Sequence, residues 1–133
     1  MRIAILGAGN VGGALGKGWA RAGQRITYGV PDPADPKHRS VAATAGGAMV
    51  SEVKAAVKDA DIIVLAVPFD AVPDALSAAG NLDGRIIIDA TNPLRMGTGG
   101  LELSVGFQRF SGRARGCFGS WCFSVQDHEP DRL

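Results

Sequence analysis

The chain has 133 residues and a formal net charge of +1, which suits one domain with a real core and gives no charge excess to draw nucleic acid. Its longest apolar run, Ile62 to Val67, is far too short to span a bilayer, so no membrane partner is expected. The amino terminus enters an apolar strand at Arg2 with no leader pattern, which makes the cytoplasm the expected location.

In chain order, Arg2-Ile3-Ala4-Ile5-Leu6 is a short apolar run ending in glycine, the pattern of a buried parallel strand. From Asn10 to Ala22 the period becomes helical, with Val11, Leu15 and Trp19 four apart and Gly23 as the stop. Arg25 to Gly29 predicts a second strand. Val30 to Pro36 holds three prolines and two aspartates and reads as a loop. A short helix is predicted over Lys37 to Ala45, stopped by Gly46-Gly47, and a minimal third strand over Ala48 to Val50. Ser51 has the chemistry of an N-cap for a helix running to Lys58. Ile62 to Val67 is a fourth strand ended by Pro68, Ala71 to Ala79 a helix, Gly80 to Gly84 a turn, and Arg85 to Asp89 a fifth strand.

This strict strand–helix alternation predicts an α/β fold, a doubly wound parallel sheet with right-handed crossovers and strand order 3-2-1-4-5. The pattern changes after Asn92-Pro93. Gly97 to Gly100 reads as a glycine-rich loop, and order is expected to extend to Phe107. Residues 108–133 show no periodicity, and arginine alternates with glycine or alanine through Gly112 to Gly116, so an irregular tail follows a domain over 1–107. A sheet whose last helix gives way to such a tail is expected to leave one face of its fifth strand uncovered, a site for aggregation or a partner.

Gly7-Ala8-Gly9-Asn10-Val11-Gly12 is a G-x-G-x-x-G placed between the first strand and the first helix. Alone the pattern is weak; in this position it is the fingerprint of a Rossmann dinucleotide turn. Gly7 permits the tight turn, Gly9 lets the backbone approach a pyrophosphate, and Gly12 lets the helix lie close to the strand. The helix start then offers unpaired amides and a positive dipole end to the phosphates. Gly13, Ala14 and Gly16 are expected to keep the helix slim near the sheet. In such sheets the crevice opens where strands 1 and 4 diverge, which brings Val67-Pro68-Phe69 opposite the glycines and Thr91-Asn92 further along the same rim. For Phe69 the alternative is packing under its own helix, and for Thr91 and Asn92 it is capping of their own turn.

NAD readers carry an acid at the end of the second strand; here the strand ends Tyr28-Gly29-Val30-Pro31, and Asp32 lies beyond it between two prolines. That favours NADP over NAD. Among Lys37, His38 and Arg39, Arg39 is the candidate reader of a 2′-phosphate, its alternative being a solvated charge at a helix start. Cys117 and Cys122 are the only cysteines, and with His128 as the nearest imidazole they complete no ligand set, so no metal site is expected.

On four stretches the sequence resembles the NADP oxidoreductases that depend on the deazaflavin coenzyme F420, together with the dinucleotide-binding enzymes grouped with them. They are Ile3 through Gly12, Tyr28-Gly29-Val30, Asp61-Ile62-Ile63-Val64-Leu65-Ala66-Val67-Pro68, and Asp89-Ala90-Thr91-Asn92-Pro93-Leu94. The resemblance spans residues 1–107 and implies NADP binding, hydride transfer to a small acceptor such as the deazaflavin, and often a homodimer. It also shows two departures. Pro31 stands where the family commonly has an arginine for the 2′-phosphate, and the family's further, largely helical stretch is absent. A one-base shift of reading frame over Trp121 to Leu133, with permitted codons, allows GVSVFKTMNQTG, which is similar to the family's continuation. A frameshifted tail is the expectation, and the nucleotide sequence decides it.

Catalytic residues are not identifiable from the sequence. Tyr28 has no lysine four residues on, and His38 and His128 fall outside the expected crevice. Transfer between two cofactor rings asks mainly for position, because the cofactors carry the chemistry. The alternative is a module that holds NADP(H) without turnover.

Overall fold

The computed structural model describes residues 1–91 and 94–103. Five parallel strands, β1 (Arg2–Leu6), β2 (Arg25–Gly29), β3 (Met49–Ser51), β4 (Ile62–Leu65) and β5 (Ile86–Asp89), form one sheet in the order β3-β2-β1-β4-β5. Helices α1 (Asn10–Arg21), α2 (Pro36–Thr44), α3 (Val53–Lys58) and α4 (Val72–Ala79) alternate with them. The fold is the doubly wound Rossmann-like sheet that the alternation predicts.

The apolar sequences of residues 3–6 in β1 and of β4 follow from their central places, where both faces are covered. Successive residues point to opposite faces. Ala4, Leu6, Ile63 and Leu65 pack with Val53 and Val57 of α3 and Val72 and Leu76 of α4. On the other face Ile3, Ile5, Ile26, Tyr28 and Val64 pack with Leu15 and Trp19 of α1 and Ala42 of α2. Two glycines of α1, Gly12 and Gly16, are buried against the sheet, which lets this helix lie unusually close to it. Gly13 meets Val41 of α2 instead, and Ala14 is exposed, so the slim face is narrower than the sequence reading proposed.

Several boundaries differ for identifiable reasons. Helix α2 begins at Pro36, with Asp35 as its N-cap accepting the Lys37 amide at 3.0 Å; the third proline of the loop is a first-turn proline. Ser51 is not a cap: it closes β3, and Glu52 precedes α3 without a side-chain cap bond. Strand β4 stops at Leu65 rather than Val67. After Asp89 the chain forms a separate antiparallel hairpin, β6 (Leu94–Gly97) and β7 (Gly100–Leu103), where the sequence reading had a loop.

Two side-chain devices tie the layers together. The Arg85 guanidinium donates to the carbonyls of Val57 and Ala60, both at 2.5 Å, and so anchors the end of α3 to the start of β5. Arg2 donates its amide to Asp61 at 2.8 Å and its guanidinium at 3.1 Å, joining the starts of β1 and β4. These bonds hold the Asp61 carboxyl below the usual carboxylate range. On β5, Ile87 packs toward α4, whereas Ile86 and Ile88 are 62% and 42% exposed. They lie beside Ile62 and Val64 of β4, on the side of the sheet that carries α1.

Candidate nucleotide-binding site

The carboxyl edge of the sheet is closed by one continuous row of backbone bonds. Val30 donates to Ser51, Gly7 to Gly29, Ala66 to Leu6 and Ala90 to Leu65, at 2.9 to 3.0 Å. Beyond this row the chain leaves the sheet at four adjacent points, and the loops that follow β1, β2, β4 and β5 share one rim.

Gly7 takes the first step off β1 with φ +104°, a conformation that a side chain would strain. A Cβ there would also come within 2.6 Å of the Ala66 carbonyl oxygen and 3.1 Å of Val67 Cγ1. The turn after β1 and the end of β4 therefore touch, as the sequence reading required of Val67. Gly12 is the second enforced position: a Cβ on it would collide with the Gly7 carbonyl and lie 3.3 Å from Ile5 Cγ2. Gly9 is different. Its φ of −82° suits any residue, and a Cβ on it would meet nothing within 4 Å among the described residues. The space over Gly9 is open, and the fold itself makes no demand for a glycine there.

The first bond of α1 runs from the Gly13 amide to the Gly9 carbonyl at 2.8 Å, so the amides of Asn10, Val11 and Gly12 point out of the helix end. No side chain caps this end and no acid stands in its first turn. Its partial positive charge faces the open space over Gly9, an arrangement that fits an anion. Asn10 and Val11 are exposed beside it, and Ala8 is half-buried.

Along the rim, Pro68 is exposed and Phe69 opens a 3-10 turn, Phe69–Ala71, that leads into α4. Thr91 is held by Asp89, whose Oδ1 accepts the Thr91 amide at 2.9 Å and its hydroxyl at 2.7 Å. Thr91 thus does cap its own turn. Asn92 lies outside the described residues, as do Cys117, Cys122 and His128. Arg39 is not brought to the turn. Val41 is the α2 residue that meets Gly13 of α1, and Arg39, two positions earlier, lies on the opposite side of the helix. There it lines a groove of about 620 Å³ with Asp32, Ala43, Ala48 and Val50. A second groove, about 650 Å³, lies at the amino ends of the strands, away from the glycines.

Tyr28 is wholly buried beneath α1, and burial pushes its phenol up. His38 is spent on the Asp32 carbonyl at 2.9 Å. Among the described residues no group of His, Cys, Asp and Glu could hold a metal ion, and no helix is long and apolar enough to cross a membrane.

A Rossmann sheet with an uncapped, glycine-lined helix start at its switch point is the arrangement of a dinucleotide-binding domain. More narrowly, the chain belongs to the family described as NADP oxidoreductase, coenzyme F420-dependent, whose model matches residues 2–93. A structure from Arthrobacter sp. FB24, described as an F420-dependent NADP-reductase, superposes with a TM-score of 0.75 at 27% identity, over 86% of this chain and 56% of that one. A protein of Sinorhizobium meliloti gives 0.72 at 26%, over 86% and 55%. An imine reductase of Myxococcus stipitatus, solved with NAD+, gives 0.57 at 26%, over 67% and 31%. The chain therefore spans little more than half the length of the first two. No curated protein matches it.

Proposed function

We propose that this chain is the nucleotide-binding part of an oxidoreductase that passes hydride between NADP(H) and a small acceptor of deazaflavin type. The observation that carries the reading is the open space over Gly9, faced by the amides of Asn10, Val11 and Gly12. Those amides bind the pyrophosphate, with Ala8 beside them, and Gly7 and Gly12 fix the turn that presents them. Val67, Pro68 and Phe69 line the far side, and Thr91 stands on the rim beside the nicotinamide. The coenzyme, when bound, supplies the hydride chemistry. The chain's own part is to hold the ring in place and keep water from one face of it. Arg39, which lines a groove with Asp32 of the loop after β2, is the candidate reader of the 2′-phosphate at the adenosine end. The choice of NADP is supported by the family description.

The test is a fluorescence titration of the whole chain with NADPH, followed by loss of NADPH absorbance on adding a deazaflavin acceptor. Binding and oxidation together support the proposal. A second reading, a domain that holds NADP(H) without turnover, is favoured by the match to only 56% and 55% of the Arthrobacter and Sinorhizobium chains. Binding without oxidation by any of several acceptors selects it.

A further inference from the structure

We infer that Asp89 is a positioning residue for the nicotinamide end of the coenzyme, acting through Thr91. This role rests on the dinucleotide reading of the glycine turn and adds to it a residue that need not touch the ligand.

Its placement follows from the sheet. Leu65 and Asp89 are register partners in β4 and β5, and the Ala90 amide extends that ladder to the Leu65 carbonyl at 2.9 Å. The Ala66 amide does the same between β4 and β1, on the Leu6 carbonyl at 2.9 Å. Carried two residues past Leu65 and Asp89, the register sets Thr91 across from Val67, whose Cγ1 lies 3.1 Å from where a Gly7 Cβ would stand. Two strand spacings, about 10 Å, thus separate the loop after β5 from the turn after β1. Dinucleotide sheets take the adenine ribose at the end of the second strand, on the opposite side of β1. The nucleoside that extends toward Thr91 is therefore the nicotinamide one.

Thr91 is held twice by one atom. Asp89 Oδ1 accepts its amide at 2.9 Å and its hydroxyl at 2.7 Å, the second a short, charge-assisted bond. The amide bond sets the direction in which the chain leaves the sheet. The hydroxyl bond selects the rotamer of the side chain. Beyond the ladder bond at Ala90, these two bonds carry the order of the sheet one residue further along the rim. Asp89 is itself the last residue of β5, so its own backbone is fixed by the sheet. A Thr91 ordered in advance spares the ligand the cost of ordering it. The amides that take the pyrophosphate belong to α1, two strands away, and do not depend on Asp89.

The experiment measures NADPH and 2′,5′-ADP, which is the adenosine half of the same coenzyme, by calorimetry on the whole chain. The proteins are the wild type, Asp89→Ala and Asp89→Asn. Asparagine keeps an oxygen that can accept both bonds, so it should rescue what alanine loses. Asp89→Ala should weaken NADPH by roughly tenfold while leaving 2′,5′-ADP within about twofold of the wild type. Asp89→Asn should stay within about threefold for both ligands. The nicotinamide emission at saturating NADPH is a second readout: it should change in Asp89→Ala and match the wild type in Asp89→Asn. An equal loss of both ligands in Asp89→Ala would assign the residue to the stability of its turn alone and overturn the role. Failure of asparagine to rescue would overturn it too, since the charge and not the pair of bonds would then matter. If Asp89→Ala keeps wild-type NADPH affinity, the glycine turn stands and only the role of Asp89 falls. A wild type that binds neither ligand removes the glycine-turn reading itself.

Discussion

The hydroxyl of Tyr28 occupies the space that a Cβ on Gly16 would need. Helix α1 can lie on β2 only because position 16 has no side chain, and the angle at which α1 meets the carboxyl edge of the sheet depends on that fit. The fit has a cost, since the buried Tyr28 hydroxyl has no hydrogen-bond partner among the described residues.

Two substitutions measure this relationship. Gly16→Ala should destabilise the fold by about 1–3 kcal/mol through overpacking, despite alanine's better helix propensity. Tyr28→Phe removes a buried hydroxyl that is already unpaired and should raise stability by roughly 1 kcal/mol. In urea unfolding, the penalty of Gly16→Ala should be smaller when it is combined with Tyr28→Phe. Additive effects would show that the two positions do not compete for the same space.

The same burial governs behaviour in alkali. Tyr28 is the only tyrosine, so tyrosinate absorbance reports it alone. Its folded pKa is raised by desolvation, so this contribution is fully present below the ordinary tyrosine value of about 10 and declines as pH rises through the folded value. Tyrosinate should appear above that range together with unfolding. Tyrosinate forming at the ordinary pKa in a protein still folded by circular dichroism would contradict the packing.

Arg85 should matter more than its half-buried surface suggests. Its two bonds satisfy the Val57 and Ala60 carbonyls around the end of α3. Arg85→Met keeps much of the apolar stem and removes both, and should cost about 1–3 kcal/mol by thermal or urea unfolding. A loss below about 0.5 kcal/mol would show that water serves those carbonyls as well.

Ile86 and Ile88 give the opposite expectation. As exposed residues on the outer strand of the sheet, both should accept threonine with a change within about 1 kcal/mol in stability. Binding of a hydrophobic dye, and any self-association seen by light scattering, should fall. Unchanged dye binding accompanied by a large stability loss would mean that this face is covered.

The sheet was legible in the sequence because its signals are local. Arg2–Leu6 and Arg25–Gly29 are uninterrupted runs bounded by glycine, and both strands end where the pattern says. The end of β4 was not legible: Ala66 and Val67 continue the apolar run, yet Ala66 makes the last ladder bond and Val67 turns toward Gly7. The Asp35 cap was hidden among prolines that suggest only a loop. The β6–β7 hairpin was missed because a glycine-rich stretch reads as a loop unless its strands alternate clearly. For the site, the sequence located the glycine turn but could not tell which glycines the fold demands. That distinction between Gly7 and Gly12 on one side and Gly9 on the other depends on atoms far away in sequence, the Ala66 carbonyl among them.

The distinction between those glycines gives the most direct measurement. Gly9→Val places a branched side chain in space that is open in the folded chain, at a backbone angle valine accepts. Thermal unfolding of the variant should match the wild type, while its affinity for NADPH should drop by at least about tenfold, equivalent to roughly 1.4 kcal/mol. A variant that is equally stable and binds NADPH within about twofold of the wild type would show that the pyrophosphate does not rest over Gly9.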